Sequence, residues 1–227
     1  MSDRVEVVYD EGRWGLLAGM REEAADLMRP LAAHHLGPVA YGSIARGDVD
    51  EGSDVDVFVP RPPAPVILET LIERAGIPVT HRELVQATPT YAPKGYIYVG
   101  ERRGYSFPLV DLRTVELEFY GFAGSVSLGQ VEAGDRVPGV DKRLMLIEPT
   151  ESGHVESPIQ GREGAVAKAL GISAASVLDR VRTLRRRERH GRTGVYLKRT
   201  LAPGEGFSDV YNTLAKRKPP LRRRMRM

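Results

Sequence analysis

The stretch from Pro38 to Pro60, PVAYGSIARGDVDEGSDVDVFVP, constrains this chain more than any other. Val39 to Tyr41 is a short apolar run that stops at Gly42, and Asp54 to Val59 alternates acidic and apolar residues until Pro60 ends it. Alternation with a period of two belongs to a strand, so Asp54 and Asp56 leave the same face. Val55, Val57 and Phe58 anchor that strand in a core while the acids face outward at one end. The segment therefore reads as strand, turn, helix turn, loop, strand. Ten residues separate Ser43 from Asp54, enough to leave one strand, make a helix turn and return as its neighbour. The Gly-Ser turn and the paired acids then end up side by side.

These residue types suit one kind of chemistry. Two carboxylates held together repel unless a cation sits between them, and Mg²⁺ prefers such hard oxygen ligands, completed by phosphates and water. Glycine lets the backbone approach a phosphate. The Ser43 hydroxyl and the free N–H groups of the following turn form an anion site, to which Arg46, one turn on, can add a charge-assisted bond.

The signature of an apolar residue, Gly-Ser, a spacer of about ten and Asp-apolar-Asp-apolar resembles that of the DNA polymerase β-type nucleotidyltransferase superfamily. YGS…DVDV matches it at every position, including the Ser53-Asp54 pair before the strand. The resemblance covers about residues 39 to 112. It implies metal-assisted transfer of a nucleoside monophosphate from an NTP to an acceptor hydroxyl, with Gly42, Ser43, Arg46 and Ser53 on the nucleotide. It also implies a third carboxylate beside Asp54 and Asp56, holding Mg²⁺ or Mn²⁺ with them. The expected residue is Asp111 in PLVDLR, on the strand after the hairpin loop GERRG; Glu116 and Glu118 in VELEF are rivals. Residues 114 to 123 fit a strand through Val115, Leu117 and Phe119, and a helical face through Val115, Phe119 and Phe122.

Charge divides the chain. Residues 1 to 157 hold 15 basic and 25 acidic residues, net −10, and residues 158 to 227 hold 18 and 5, net +13. Such asymmetry points to two functional parts, the basic one facing a polyanion. The boundary is expected in 149–158, read as an exposed link, giving a domain of 1–157 and another of 158–227. In the second part, Ala165, Ala169 and Leu170 form an apolar face, Gly171 breaks it, Ser173 can cap the next helix, and Val177, Leu178, Val181 and Leu184 continue with helical period. This is a helix-turn-helix layout. HGRTGVYLKRTLAPGEG after it reads as two short strands about a turn. Together they resemble a winged helix, which implies contact of Ser173, Ser176, Arg180, Arg185, Arg186 and Arg192 with RNA or DNA.

The fold class expected is α/β (α+β): a mixed sheet with helices, followed by a winged helix-turn-helix. As a whole the chain resembles predicted archaeal nucleotidyltransferases with that C-terminal element. The competing expectation is a nucleic-acid-binding regulator on an inactive transferase fold. The chain has no cysteine, which excludes disulfides and thiolate chemistry. The five histidines show no metal-ligand spacing, and no stretch approaches the roughly 20 apolar residues of a membrane span. A cytoplasmic protein without a membrane partner is expected.

Overall fold

The computed structural model describes residues 4–191 and 194–224. Strand β1 (Val5–Val8) leads into helix α1 (Glu11–Ala32), which starts earlier than the apolar pattern suggests because Asp10 caps it, accepting the Arg13 N–H at 2.8 Å. Such a cap contributes about 1 kcal/mol. Pro30 lies inside the last turn. The segment singled out above is β2 (Val39–Tyr41), the single turn α2 (Ser43–Arg46) and β3 (Val55–Phe58). Next come α3 (Pro65–Arg74), β4 (His81–Gln86) and the expected hairpin of β5 (Lys94–Tyr98) and β6 (Arg103–Pro108). Residues 114–123 form helix α4 (Thr114–Ala123), followed by β7 (Ser125–Ser127), α5 (Leu128–Glu132), β8 (Gly139–Val140), β9 (Met145–Thr150) and β10 (Gly153–Pro158). The chain then makes α6 (Glu163–Leu170), α7 (Ala174–His190), β11 (Leu197–Thr200), α8 (Phe207–Arg217) and α9 (Pro219–Arg224).

A seven-stranded sheet has the order β11-β4-β5-β6-β3-β2-β7. Only β3 and β6 run parallel in it, so the sheet is mixed as expected. One face carries Val55, Val57, Tyr105, Phe107, Ile97 and Leu84, all fully or almost fully buried. Leu27, Met28 and Leu31 of α1, Leu68 and Ile72 of α3, and Phe207 and Tyr211 of α8 pack there. The other face carries Asp56 and Phe58, with Gly104 and Ser106 alongside in register. Helix α4 covers part of it, the Tyr120 ring stacking on Phe58 with centroids 3.6 Å apart.

A second, antiparallel sheet has the order β1-β10-β9-β8. Thus 149–158, expected as a link, is the end of β9 and all of β10. Gly153 is required where β10 meets β1, since a Cβ there would lie 2.0 Å from the Val7 carbonyl oxygen. A boundary at 157/158 would cut β10 near its end. It would also part β11 and α8 from the sheet and core they complete.

The helix-turn-helix is present: Gly171 takes the left-handed conformation (φ 64°) after α6, and the Ser173 side chain caps α7. The wing differs. Of the two short strands expected in 190–206, the described residues contain β11 alone, and it pairs with the edge of β4, Leu197 opposite Gln86 and Thr200 opposite Glu83. An open sheet edge presents unpaired N–H and C=O groups; here they are met by the chain's own later segment. Among the described residues no helix is long and apolar enough to cross a membrane.

Candidate active site

The β2–α2 turn is built around Gly42, with φ 82° and ψ −141°. That conformation is open to glycine and costly for a residue with a Cβ. The Gly42 N–H donates to the Gly124 carbonyl at 2.9 Å, and its own carbonyl accepts the N–H groups of Ala45 and Arg46, each at 3.1 Å. Buried Arg21 of α1 donates to the Ile44 and Ala45 carbonyls, which so short a helix cannot satisfy itself. The Ser43 hydroxyl donates to the Ser53 hydroxyl at 3.2 Å, and Ser53 is fixed by the Asp50 N–H and carboxylate. These bonds fold the loop 47–54 back over the turn, beside Asp54.

Gly42, Ser43, Ser53, Asp54 and Asp56 line one cavity of about 450 Å³. The strand alternation places Asp56 between buried Val55 and Val57, and burial followed by the nearby Asp54 charge pushes the Asp56 carboxyl up to about 6. Lys142, on the turn between β8 and β9, acts in the opposite direction. The net rise is the sign of an acid pair short of positive charge. A divalent cation with hard oxygen ligands matches that need. The fit rests on two carboxylates: among the described residues no group of three or more His, Asp or Glu is placed to hold a metal.

Arg46 also lines the cavity, but its guanidinium is committed, Nη1 to the Ala123 carbonyl at 2.6 Å and Nη2 to Asp48 at 2.9 Å. Asp111 is not brought to the acid pair. It follows the end of β6 and lines a different cavity, with Pro108, Tyr211 and the proline loop after β3. Because β3 and β6 are parallel, the β6 residues beside Asp56 and Phe58 are Gly104 and Ser106. Neither rival acid fills the place. Glu116 is buried and holds the Ala92 N–H and the start of α4 through the Arg113 N–H. Glu118 faces α7.

The helix-turn-helix residues have other work than the one expected. Glu118 Oε2 accepts the hydroxyls of Ser173 and Ser176, each at 2.5 Å, and the Ser173 N–H at 3.1 Å. The Ser173 and then the Ser176 hydroxyl hold the Glu118 carboxyl below its usual range. Ser176 is 1% exposed. Both serines therefore seat α7 on α4. Arg180 is turned to the cavity that contains Asp54 and Asp56, and Arg187 and Leu184 join it there. Arg185 is half-buried and Arg186 exposed; Arg192 lies outside the described residues.

Sequence reasoning missed Lys142, Phe119, Leu184 and Arg187 as lining residues. Their positions depend on how α4, α7 and the β8–β9 turn close over the sheet, and no local pattern encodes that. Lys94 was missed as well. It is half-buried, donates to the Tyr120 hydroxyl at 2.7 Å, and desolvation lowers its ammonium to about 8.

A comparison with curated proteins and a comparison with solved structures each gave no match. Residues 37–108, which contain the Gly-Ser turn, both aspartates and the strands that carry them, match the family model described as nucleotidyltransferase domain, consistent with the polymerase β type.

Proposed function

We propose that the protein transfers a nucleoside monophosphate from an NTP to an acceptor hydroxyl, in a metal-dependent reaction, with RNA or DNA as the favoured acceptor. The observation that carries this reading is the shared cavity: Asp54 and Asp56 face the same space as Gly42 and Ser43, within a segment that matches the transferase family. In this reading Gly42 and Ser43 take the phosphates, and Ser53 holds Ser43 in place. Asp54 and Asp56 hold Mg²⁺ or Mn²⁺. The metal, when bound, lowers the pKa of an acceptor hydroxyl and offsets charge on departing pyrophosphate. The protein's share is positioning and charge neutralisation. Phe119, Phe122 and Leu184 give the cavity an apolar wall that suits a nucleobase. Outside it, exposed Arg182 and Arg186 on α7 offer a basic approach for a polyanionic acceptor.

A second reading is a nucleotide- and nucleic-acid-binding regulator on an inactive transferase fold. It is favoured by the position of Asp111 in another cavity. The two separate cleanly. Incubation with each labelled NTP, Mg²⁺ or Mn²⁺, and a panel of RNA, DNA and cell-extract acceptors is expected to yield a labelled acceptor and pyrophosphate. NTP binding with no transfer to any acceptor class would establish the regulator instead.

A further inference from the structure

The cavity is lined by charges of both signs, and some of its cations come from a distant part of the chain. Asp54 and Asp56 line it from β3 and the residue before it. Arg180 and Arg187 are supplied by α7, more than a hundred residues later. Arg46, the cation the motif itself offers, is held by the Ala123 carbonyl and Asp48.

Arg180 and Arg46 share a buried, unbonded Nε, but both Nη atoms of Arg46 are bonded. The Arg180 guanidinium stands over the Phe119 ring, 4.8 Å from the centroid. Asp179, its neighbour in sequence, is bonded to the Tyr91 hydroxyl. Arg143 is paired with Asp141 and Glu156. Among the described residues no carboxylate lies within ion-pair distance of Arg180. Burial, and then the Arg187 charge, push its pKa down, while Tyr91 and Asp179 act in the opposite direction. Its seat is nonetheless firm. Val177 and Val181, on either side of it along α7, are buried with Phe122, and Ser173 and Ser176 tie the start of the helix to Glu118. A half-buried, unpaired guanidinium held rigidly at a cavity is costly unless an anion completes it.

We propose that Arg180, supported by Arg187, is the phosphate-gripping residue of the nucleotide site, so that α7 completes a site whose metal-binding acids lie on β3. This inference rests on the reading of the cavity as an NTP site. Arg180 is a positioning residue in it: it takes no proton and forms no bond, and it orients the phosphate chain against the acid pair.

The test is calorimetric titration of the full chain, with Mg²⁺, using the four NTPs and inorganic tripolyphosphate as probes. Arg180→Met keeps the side-chain stem over Phe119 and removes the charge. It is expected to weaken both NTP and tripolyphosphate binding about 10- to 100-fold, the worth of a hydrogen bond to a charged group, with a melting temperature no lower than that of the wild type. Arg180→Lys is expected to keep most of the affinity. NTP binding by Arg180→Met within about twofold of wild type, below the tenfold that 1.4 kcal/mol represents, overturns the inference alone. So does a loss that comes with a lowered melting temperature, since that marks a packing role. Failure of the wild type to bind any NTP overturns the nucleotide-site reading and this inference with it.

Discussion

Glu118 of α4 accepts the Ser176 hydroxyl at 2.5 Å across the interface between α4 and α7. The same oxygen takes the Ser173 hydroxyl and N–H, so one carboxylate caps α7 and docks it. Glu118→Ala removes all three bonds and leaves buried Ser176 without that partner. It is expected to lower stability by about 1–3 kcal/mol, read in chemical denaturation. Because the folded carboxyl is held below its ordinary range, this stabilisation is present at neutral pH and is lost as pH falls through the folded value. The wild-type advantage over Glu118→Ala should therefore shrink in acid.

Asp56 behaves in the opposite sense. Its folded carboxyl is raised from 3.8 to about 6, so the fold holds the proton more tightly than the unfolded chain does. Without metal, stability should fall as pH rises from about 4 to about 6 and stay lower above that. Asp56→Asn removes the buried charge and is expected to stabilise the metal-free protein at pH 7.5 by on the order of 2 kcal/mol. Thermal melts of both proteins in EDTA at pH 4.5 and pH 7.5 check this; equal melting temperatures at pH 7.5 would contradict it. Metal affinity should rise with pH through about 6, as the proton leaves.

Gly42→Ala tests the turn. A Cβ at this position would meet nothing within 4 Å, so the cost comes from the backbone conformation alone. A loss of about 1–3 kcal/mol is expected for holding alanine there, or a relaxed turn that moves Ser43 off Ser53. Denaturant melts and the NTP affinity read the two outcomes.

The basic surface of α7 makes a prediction for the acceptor. Arg182→Gln with Arg186→Gln in the full chain should weaken binding of a labelled single-stranded RNA or DNA. It should also reduce the slope of log affinity against log salt by about 1–2. An unchanged slope would remove α7 from the acceptor path.

What the sequence made legible was local. The alternation of Asp54 to Val59 and the stop at Gly42 dictate the strand–turn–strand unit, because strand period and glycine backbone freedom act within a few residues. The Gly171 break and Ser173 cap were readable for the same reason. Strand β4 was not, since HRELVQ carries an acid and an amide, Glu83 and Gln86, that are buried, the first of them beside a partner far away in the chain. Glu83 is reached by Lys198 of β11 at 3.0 Å and Gln86 donates to the Tyr91 carbonyl at 2.9 Å. The pairing of β11 with β4 and the seating of Ser173 and Ser176 on Glu118 join residues far apart in the chain. For that reason a helix-turn-helix that suggests a groove reader supplies Arg180 to the first segment's cavity. Asp111 illustrates the same limit: it was expected on the strand, but β6 ends at Pro108, short of it, and the parallel register that puts Gly104 and Ser106 beside Asp56 and Phe58 is a tertiary fact.

The central claim is that the Gly42–Ser43 turn and the Asp54–Asp56 pair enclose a metal-bound nucleoside triphosphate. Calorimetric titration of NTPs into the wild type and into Asp54→Asn with Asp56→Asn, each with Mg²⁺ and with EDTA, tests it most directly. Binding by the wild type is expected to require the metal, and the double variant is expected not to bind. Equal binding by the two proteins, or wild-type binding that EDTA leaves unchanged, would contradict it.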